Sequence, residues 1–117
     1  MTRPMREPTF WILTALVEEA RHGYAVMQRV SALSGGETRL LPATLYAALD
    51  RLAAEGMVEV DREEIVDGRP RRYYRLTDRG GAALTAETQR LRRNVQAASR
   101  LLNARGAQPG PATAMFA

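Results

Sequence analysis

The chain has 117 residues, 45% hydrophobic and 26% charged, enough for one folded domain with a modest core. It has no cysteine and a single histidine, His22, which excludes disulfide and thiol chemistry and leaves no donor set for a metal or cofactor site. All seventeen basic residues are arginine, against thirteen acids, for a net charge of +4 that favours an acidic partner. With no apolar run long enough for a membrane span and no secretory signal in the first residues, a cytoplasmic protein without a membrane partner is expected.

Pro8 in a first turn and Gly23 as a stop predict a helix over residues 8–22. Phe10, Leu13, Leu16, Val17 and Ala20 form its apolar stripe. A second helix is expected from Tyr24 to Ser34, with Val26, Met27, Val30 and Leu33 inward and Gly35-Gly36 ending it. Pro42 opens a third helix running to Glu55, with Gly56 behind it. Leu45, Leu49 and Leu52 stand at i, i+4 and i+7 and share its buried face, so Thr44, Ala47, Ala48 and Arg51 point elsewhere.

Asp67-Gly68 is the signature of a tight hairpin turn. The strands are expected at Met57–Val60 and Tyr73–Leu76, with Val58, Val60, Tyr74 and Leu76 of matching inward parity. Four arginines and two tyrosines fall within residues 69–75. Such a density of guanidinium groups beside a turn points to phosphate. Charge counted by segment keeps that argument local: residues 37–79 hold eight arginines and nine acids, a net of −1, whereas residues 80–117 hold five arginines and one acid, a net of +4.

Thr77 is the expected cap of a last helix reaching about Arg105. Leu84, Thr88, Leu91, Val95, Ala98 and Leu102 recur at alternating spacings of four and three, a coiled-coil-like seam roughly 27 Å long at ~1.5 Å per residue. The seam is expected to bury itself on a second copy, giving a homodimer; the alternative is that it packs back on the first helix of its own chain. Residues 106–117, rich in Gly, Pro and Ala, are expected to be a disordered tail.

The fold class is therefore mainly α with a small β-hairpin. Its order is that of a winged helix-turn-helix over residues 1–78, followed by a long dimerisation helix over 79–105. In that architecture the third helix (42–55) enters the DNA major groove, and the wing (64–72) lies on the backbone or minor groove. Pro42, Ala43, Thr44, Tyr46 and Ala47 then face DNA. The hydroxyls of Thr44 and Tyr46 suit phosphate, while the alanines sense only thymine methyls or shape. Arg51 either reaches a phosphate or pairs with Asp50 or Glu55. Arg69 is placed for the minor groove, with Arg71 and Arg72 on phosphates to either side. Tyr73 either bonds a phosphate or packs in the core, and His22 is read as a helix-end residue.

Two function classes follow. The first is a sequence-specific DNA-binding regulator; the second is a winged-helix interaction module that docks on protein, with its arginines toward acidic partners. An enzyme is excluded by the lack of a nucleophile–base pair, a metal cluster or a phosphate-cradling glycine loop.

Several stretches together resemble the PadR family of bacterial transcription regulators. They are His22-Gly23-Tyr24-Ala25-Val26, Leu41-Pro42-Ala43-Thr44-Leu45-Tyr46, Leu49-Asp50-Arg51-Leu52-Ala53-Ala54-Glu55-Gly56, and the wing from Gly68 to Thr77. The similarity spans about residues 8–105. It implies a homodimer joined through the C-terminal helices, binding a pseudo-palindromic double-stranded operator and repressing transcription. The single C-terminal helix is similar to that of the compact subgroup, some members of which accept flat aromatic or multidrug compounds at the dimer interface. Here the only tryptophan is Trp11, on the first helix. Phe10 and Trp11 are read as core or dimer packing; the alternative is a pocket for a small aromatic or hydrophobic effector formed by Phe10, Trp11, Val95, Ala98 and Leu102.

Overall fold

The computed structural model describes residues 4–107. The elements in chain order are helix α1 (Glu7–Ala15), strand β1 (Arg21–His22), helices α2 (Gly23–Leu33) and α3 (Pro42–Ala54), strands β2 (Val58–Val66) and β3 (Arg69–Leu76), and helix α4 (Asp78–Ala107). The chain divides into two compact units, one ending at Glu87 and one beginning at Thr88, so the boundary falls inside α4 rather than at the end of the wing.

The first unit is held by one core. Ile12, Leu13 and Leu16 of the α1 region meet Val26 and Val30 of α2, and Leu45, Leu49 and Leu52 of α3, with Val58, Tyr74 and Leu84 closing it. The heptad-like spacing of the α3 leucines places all three at zero exposure, as their periodicity predicts. At α4 the Thr77 hydroxyl accepts from the Gly80 amide at 3.0 Å, the N-cap expected of it.

Helix α1 is shorter than its apolar pattern predicts. It ends at Ala15, and the segment read as its second half bends away to supply β1. Arg21 pairs with Tyr74 and His22 with Tyr73, which makes the sheet three-stranded, in the order β1-β3-β2. The Arg21 guanidinium donates from Nε to the Ala15 carbonyl at 2.8 Å, satisfying a helix-end acceptor. Local propensity favoured more helix; pairing to β3 prevailed. In consequence Val17, expected inside, is exposed.

The hairpin is also longer than predicted. Its strands run up to the turn on both sides, from Val58↔Leu76 to Val66↔Arg69. Asp67 (φ 52°) and Gly68 (φ 76°) both adopt the left-handed region, as the two-residue turn requires. The register shifts between Val60 and Arg62, a bulge at Asp61. Val58 and Tyr74 are core as expected, but Val60, opposite Tyr74 on the edge strand and beside the bulge, is exposed.

Beyond Glu87, α4 continues as regular helix to Ala107, two residues past its expected end. Its Leu91, Val95, Leu101 and Leu102 side chains are exposed. Leu84, expected on the same seam, belongs to the core of the first unit. Of the expected tail, Gly106 and Ala107 are helical, and residues 108–117 lie outside the described residues.

Candidate nucleic-acid interface

Helix α3 presents two unlike faces. Its leucine face is buried, and Pro42, Ala43, Thr44, Tyr46, Ala47 and Asp50 on the other sides are exposed. Pro42 occupies the first turn, and the preceding Leu41 caps the helix with extended backbone but no side-chain hydrogen bond. The first-turn amides thus remain open at the positive end of the helix dipole, which favours an anion there. The outward face carries small side chains at Ala43, Thr44 and Ala47 beside the larger Tyr46.

Tyr46 has a second role that its sequence position did not announce. Its ring lies against Gly23 at the start of α2, where an added Cβ would come within 2.7 Å of the phenolic ring carbon. A side chain at position 23 would therefore have to displace the exposed end of Tyr46. His22, just ahead, caps α2 by accepting the Ala25 amide at Nδ1 (3.4 Å), the helix-end role expected of it. Its ring meets Tyr73 edge-on with centroids 5.4 Å apart. Burial, and next the Arg71 charge, hold the His22 pKa below its ordinary value against an opposing pull from Glu64. A neutral ring is what the cap needs, since a protonated Nδ1 cannot accept.

Between these helix starts and the wing lies an open groove of about 550 Å³, lined among others by His22, Tyr24, Tyr46, Asp50, Glu63 and Arg72. Tyr24, which sequence reasoning did not single out, is exposed on its rim. Its signal was present: it follows Gly23 directly in the first turn of α2. The groove carries both signs of charge, so it is not a simple cationic slot.

The wing arginines differ in their surroundings. Arg69 and Arg71 form no ion pair among the described residues, and both line a depression at the wing tip with Val66, Asp67 and Pro70. Arg72 lies 3.8 Å from Glu63, and Arg75 donates to Glu59 at 2.7 Å. Arg62 sits 3.9 Å above the Tyr73 ring while bonding Glu64 at 2.8 Å and Asp61 at 2.9 Å. Tyr73 is accordingly half-buried between Arg62 and His22, while Tyr74 is core. Arg51, the other arginine expected near DNA, donates to the buried Thr9 hydroxyl at 2.8 Å and to Glu55 at 3.0 Å, tying α3 to α1.

The residues expected for an effector lie in both units. Phe10 and Trp11 are half-buried on α1, edge-to-face at 5.1 Å, and Val95, Ala98 and Leu102 are exposed on the distal part of α4. Thr88 on that helix is half-buried.

The arrangement of a helix-turn-helix with a charged three-stranded wing is matched by sequence. The profile of the transcriptional regulator PadR-like family matches residues 12–86. The chain belongs to the PadR-like family. It is thus one of a family of transcriptional regulators, not of catalysts. A relative, the transcriptional regulator Rv3488 of Mycobacterium tuberculosis, is 42% identical over 74 residues, covering 63% of this chain and 55% of the relative. The uncharacterized protein X of Lysinibacillus sphaericus is 35% identical over 74 residues, 63% of this chain and 68% of its own. Bacillus subtilis PadR in complex with operator DNA superposes with a TM-score of 0.63 at 26% identity, over 71% of this chain and 47% of that one. The Streptococcus mutans protein smu.1704 superposes with a TM-score of 0.69 over 90% of this chain and 96% of that one, a likeness of fold at 23% identity. This PadR-like chain therefore spans about half the length of the Mycobacterium relative and of Bacillus subtilis PadR.

Proposed function

We propose that this PadR-like regulator binds a pseudo-palindromic DNA operator as a homodimer and represses transcription by occupying it, with release by a small aromatic or hydrophobic effector. The observation that carries DNA binding is the exposure of the α3 outward face and of Arg69, together with half-buried Arg71, two wing-tip arginines that form no ion pair among the described residues. Helix α3 then enters the major groove through Ala43, Thr44 and Ala47, and Thr44 and Tyr46 offer hydroxyls to phosphate. Because alanines donate no hydrogen bonds, specificity rests largely on DNA shape and on half-site spacing. Support from a relative comes from Bacillus subtilis PadR, a similar fold captured with operator DNA.

Homodimerisation is supported by the exposed Leu91, Val95 and Leu102 on one helix. Apolar side chains spaced for a coiled coil and left in water are stabilised by a second copy of the same seam. Two copies present two α3 helices to one duplex, which is how a palindrome is read.

The test is fluorescence anisotropy on the DNA upstream of the protein's own gene against a scrambled duplex of equal length, at about 150 mM salt. A preference of roughly 10³-fold or more is expected of a specific regulator. Equal affinity for the two duplexes would count against operator recognition at that site. Replacing Arg69 by Ala is expected to weaken binding to both.

A further inference from the structure

The wing that looks arginine-rich is electrically neutral. Residues 58–76 hold five arginines (62, 69, 71, 72 and 75) and five acids (Glu59, Asp61, Glu63, Glu64 and Asp67), a net charge of zero. The acids are not scattered: four of them lie on β2. The antiparallel register sets Glu59 opposite Arg75, Glu63 opposite Arg72, and Glu64 opposite Arg71. Opposed charges at directly paired positions attract across the strands.

Two of these pairs close, and the third is diverted. Arg75 bonds Glu59; the Arg72 guanidinium is held first by the Tyr74 hydroxyl and next by the Glu63 carboxylate 3.8 Å away, with Asp50 of α3 adding to its field. Glu64, however, turns along its own strand to Arg62, which the Tyr73 ring and Asp61 hold in place. The hydrogen bond from Arg62 is the main reason the Glu64 carboxyl stays below the usual carboxylate range, so it remains charged and engaged. Arg71 therefore closes no ion pair with Glu64 among the described residues, although its charge still helps to hold the Glu64 pKa down.

We propose that β2 is an internal competitor for DNA phosphate: its carboxylates occupy Arg62, Arg72 and Arg75, so that only Arg69 and Arg71 of the wing neutralise phosphates, and the affinity for generic DNA is held low. The proposal rests on the DNA-binding reading above and refines it by dividing the wing arginines into two classes. The physical reason lies in counterions. A free arginine that reaches a phosphate releases a condensed cation, and binding gains by it. An arginine that must first leave a carboxylate exposes that carboxylate, which recruits a cation of its own, so the exchange yields little. The nearby carboxylate also repels the incoming backbone. A regulator benefits, because weaker generic binding leaves more of it free to find its operator.

The experiment is the salt dependence of binding to a scrambled duplex, by anisotropy, for the full chain and four variants of matched melting temperature. Arg69→Ala and Arg71→Ala are each expected to lower the slope of log K against log salt by about 0.9 per wing on DNA. Arg72→Ala is expected to leave the slope unchanged. Glu63→Gln, which leaves Arg72 bonded to the neutral Tyr74 hydroxyl but facing no β2 carboxylate, is expected to steepen it by about 0.9 and to tighten generic binding roughly three- to tenfold near 150 mM salt. An Arg72→Ala slope reduced as far as that of Arg69→Ala, or a Glu63→Gln protein indistinguishable from the parent, overturns the proposal while DNA binding stands. A parent that binds neither duplex overturns the DNA reading itself, and the proposal with it.

Discussion

Helix α4 carries apolar residues of two different fates, and the contrast between them is informative. Up to Glu87 the helix contributes Leu84 to a shared core, at 9% exposure. Past Thr88 the same helical periodicity leaves Val95 63% exposed and Leu102 66% exposed. One stretch stabilises the fold of a single chain. The other is stable as helix but leaves its apolar area in water, and area in water is a driving force for association. A continuous seam in sequence is thus divided by structure into a half packed in the first unit's core and a half left exposed.

The largest expected effect breaks the second half. Replacing Val95 and Leu102 together by Glu alters four side chains in a dimer. At about 1.5 kcal/mol for each lost burial, roughly 6 kcal/mol or four decades in dimer affinity are at stake. Sedimentation is expected to show a monomer whose first unit melts as the parent does; an unchanged dimer places the interface elsewhere. The matching test of the folding half is Leu49→Ala in α3, fully buried among Leu45, Leu52 and Val26. It is expected to cost about 2–5 kcal/mol in denaturant unfolding, while the helical content beyond Thr88 is retained.

Thr9→Val is expected to cost about 1–2 kcal/mol, since it leaves the Arg51 guanidinium with Glu55 alone while keeping the volume of a buried side chain. No loss of stability on urea titration would remove Arg51 from the structural role assigned to it. Gly23→Ala sharpens the distinction between fold and site. The added methyl displaces only the exposed end of Tyr46, so the melting temperature is expected to change little while DNA affinity falls.

The smallest effect is acid lability through His22. Its folded pKa lies below the ordinary value of 6.5, so as pH falls the unfolded chain binds a proton first. Stability from this group is full above about pH 7 and declines on acidification through 6.5 toward the folded value. His22→Asn retains a cap acceptor without a titrating ring, and thermal melts of that variant are expected to lose this component. Equal acid sensitivity in variant and parent would assign it to other groups.

Much of this was legible without coordinates. The three α3 leucines, the Thr77 cap, the Asp67-Gly68 turn and the long last helix are local or periodic features. Each is dictated by backbone geometry within a few residues, and each appears where its chemistry demands. The arginines around the turn were equally visible, but their state was not. Whether an arginine is free depends on a carboxylate some ten residues away in sequence and one strand away in space.

Sequence by itself determined the four helices and the hairpin, the buried face of α3 and the family pattern that runs through them, because these follow from short-range sterics and hydrophobic periodicity. Tertiary structure alone decided that residues 21–22 leave the first helix to join the sheet, since a strand's hydrogen bonds are supplied by a distant partner. It decided that Tyr46 leans on Gly23, that Arg51 serves Thr9, and that Leu84 is core while Val95 is surface. It also decided which guanidinium groups β2 holds and which it leaves free, because electrostatic pairing acts through space at a few ångströms and is indifferent to distance along the chain.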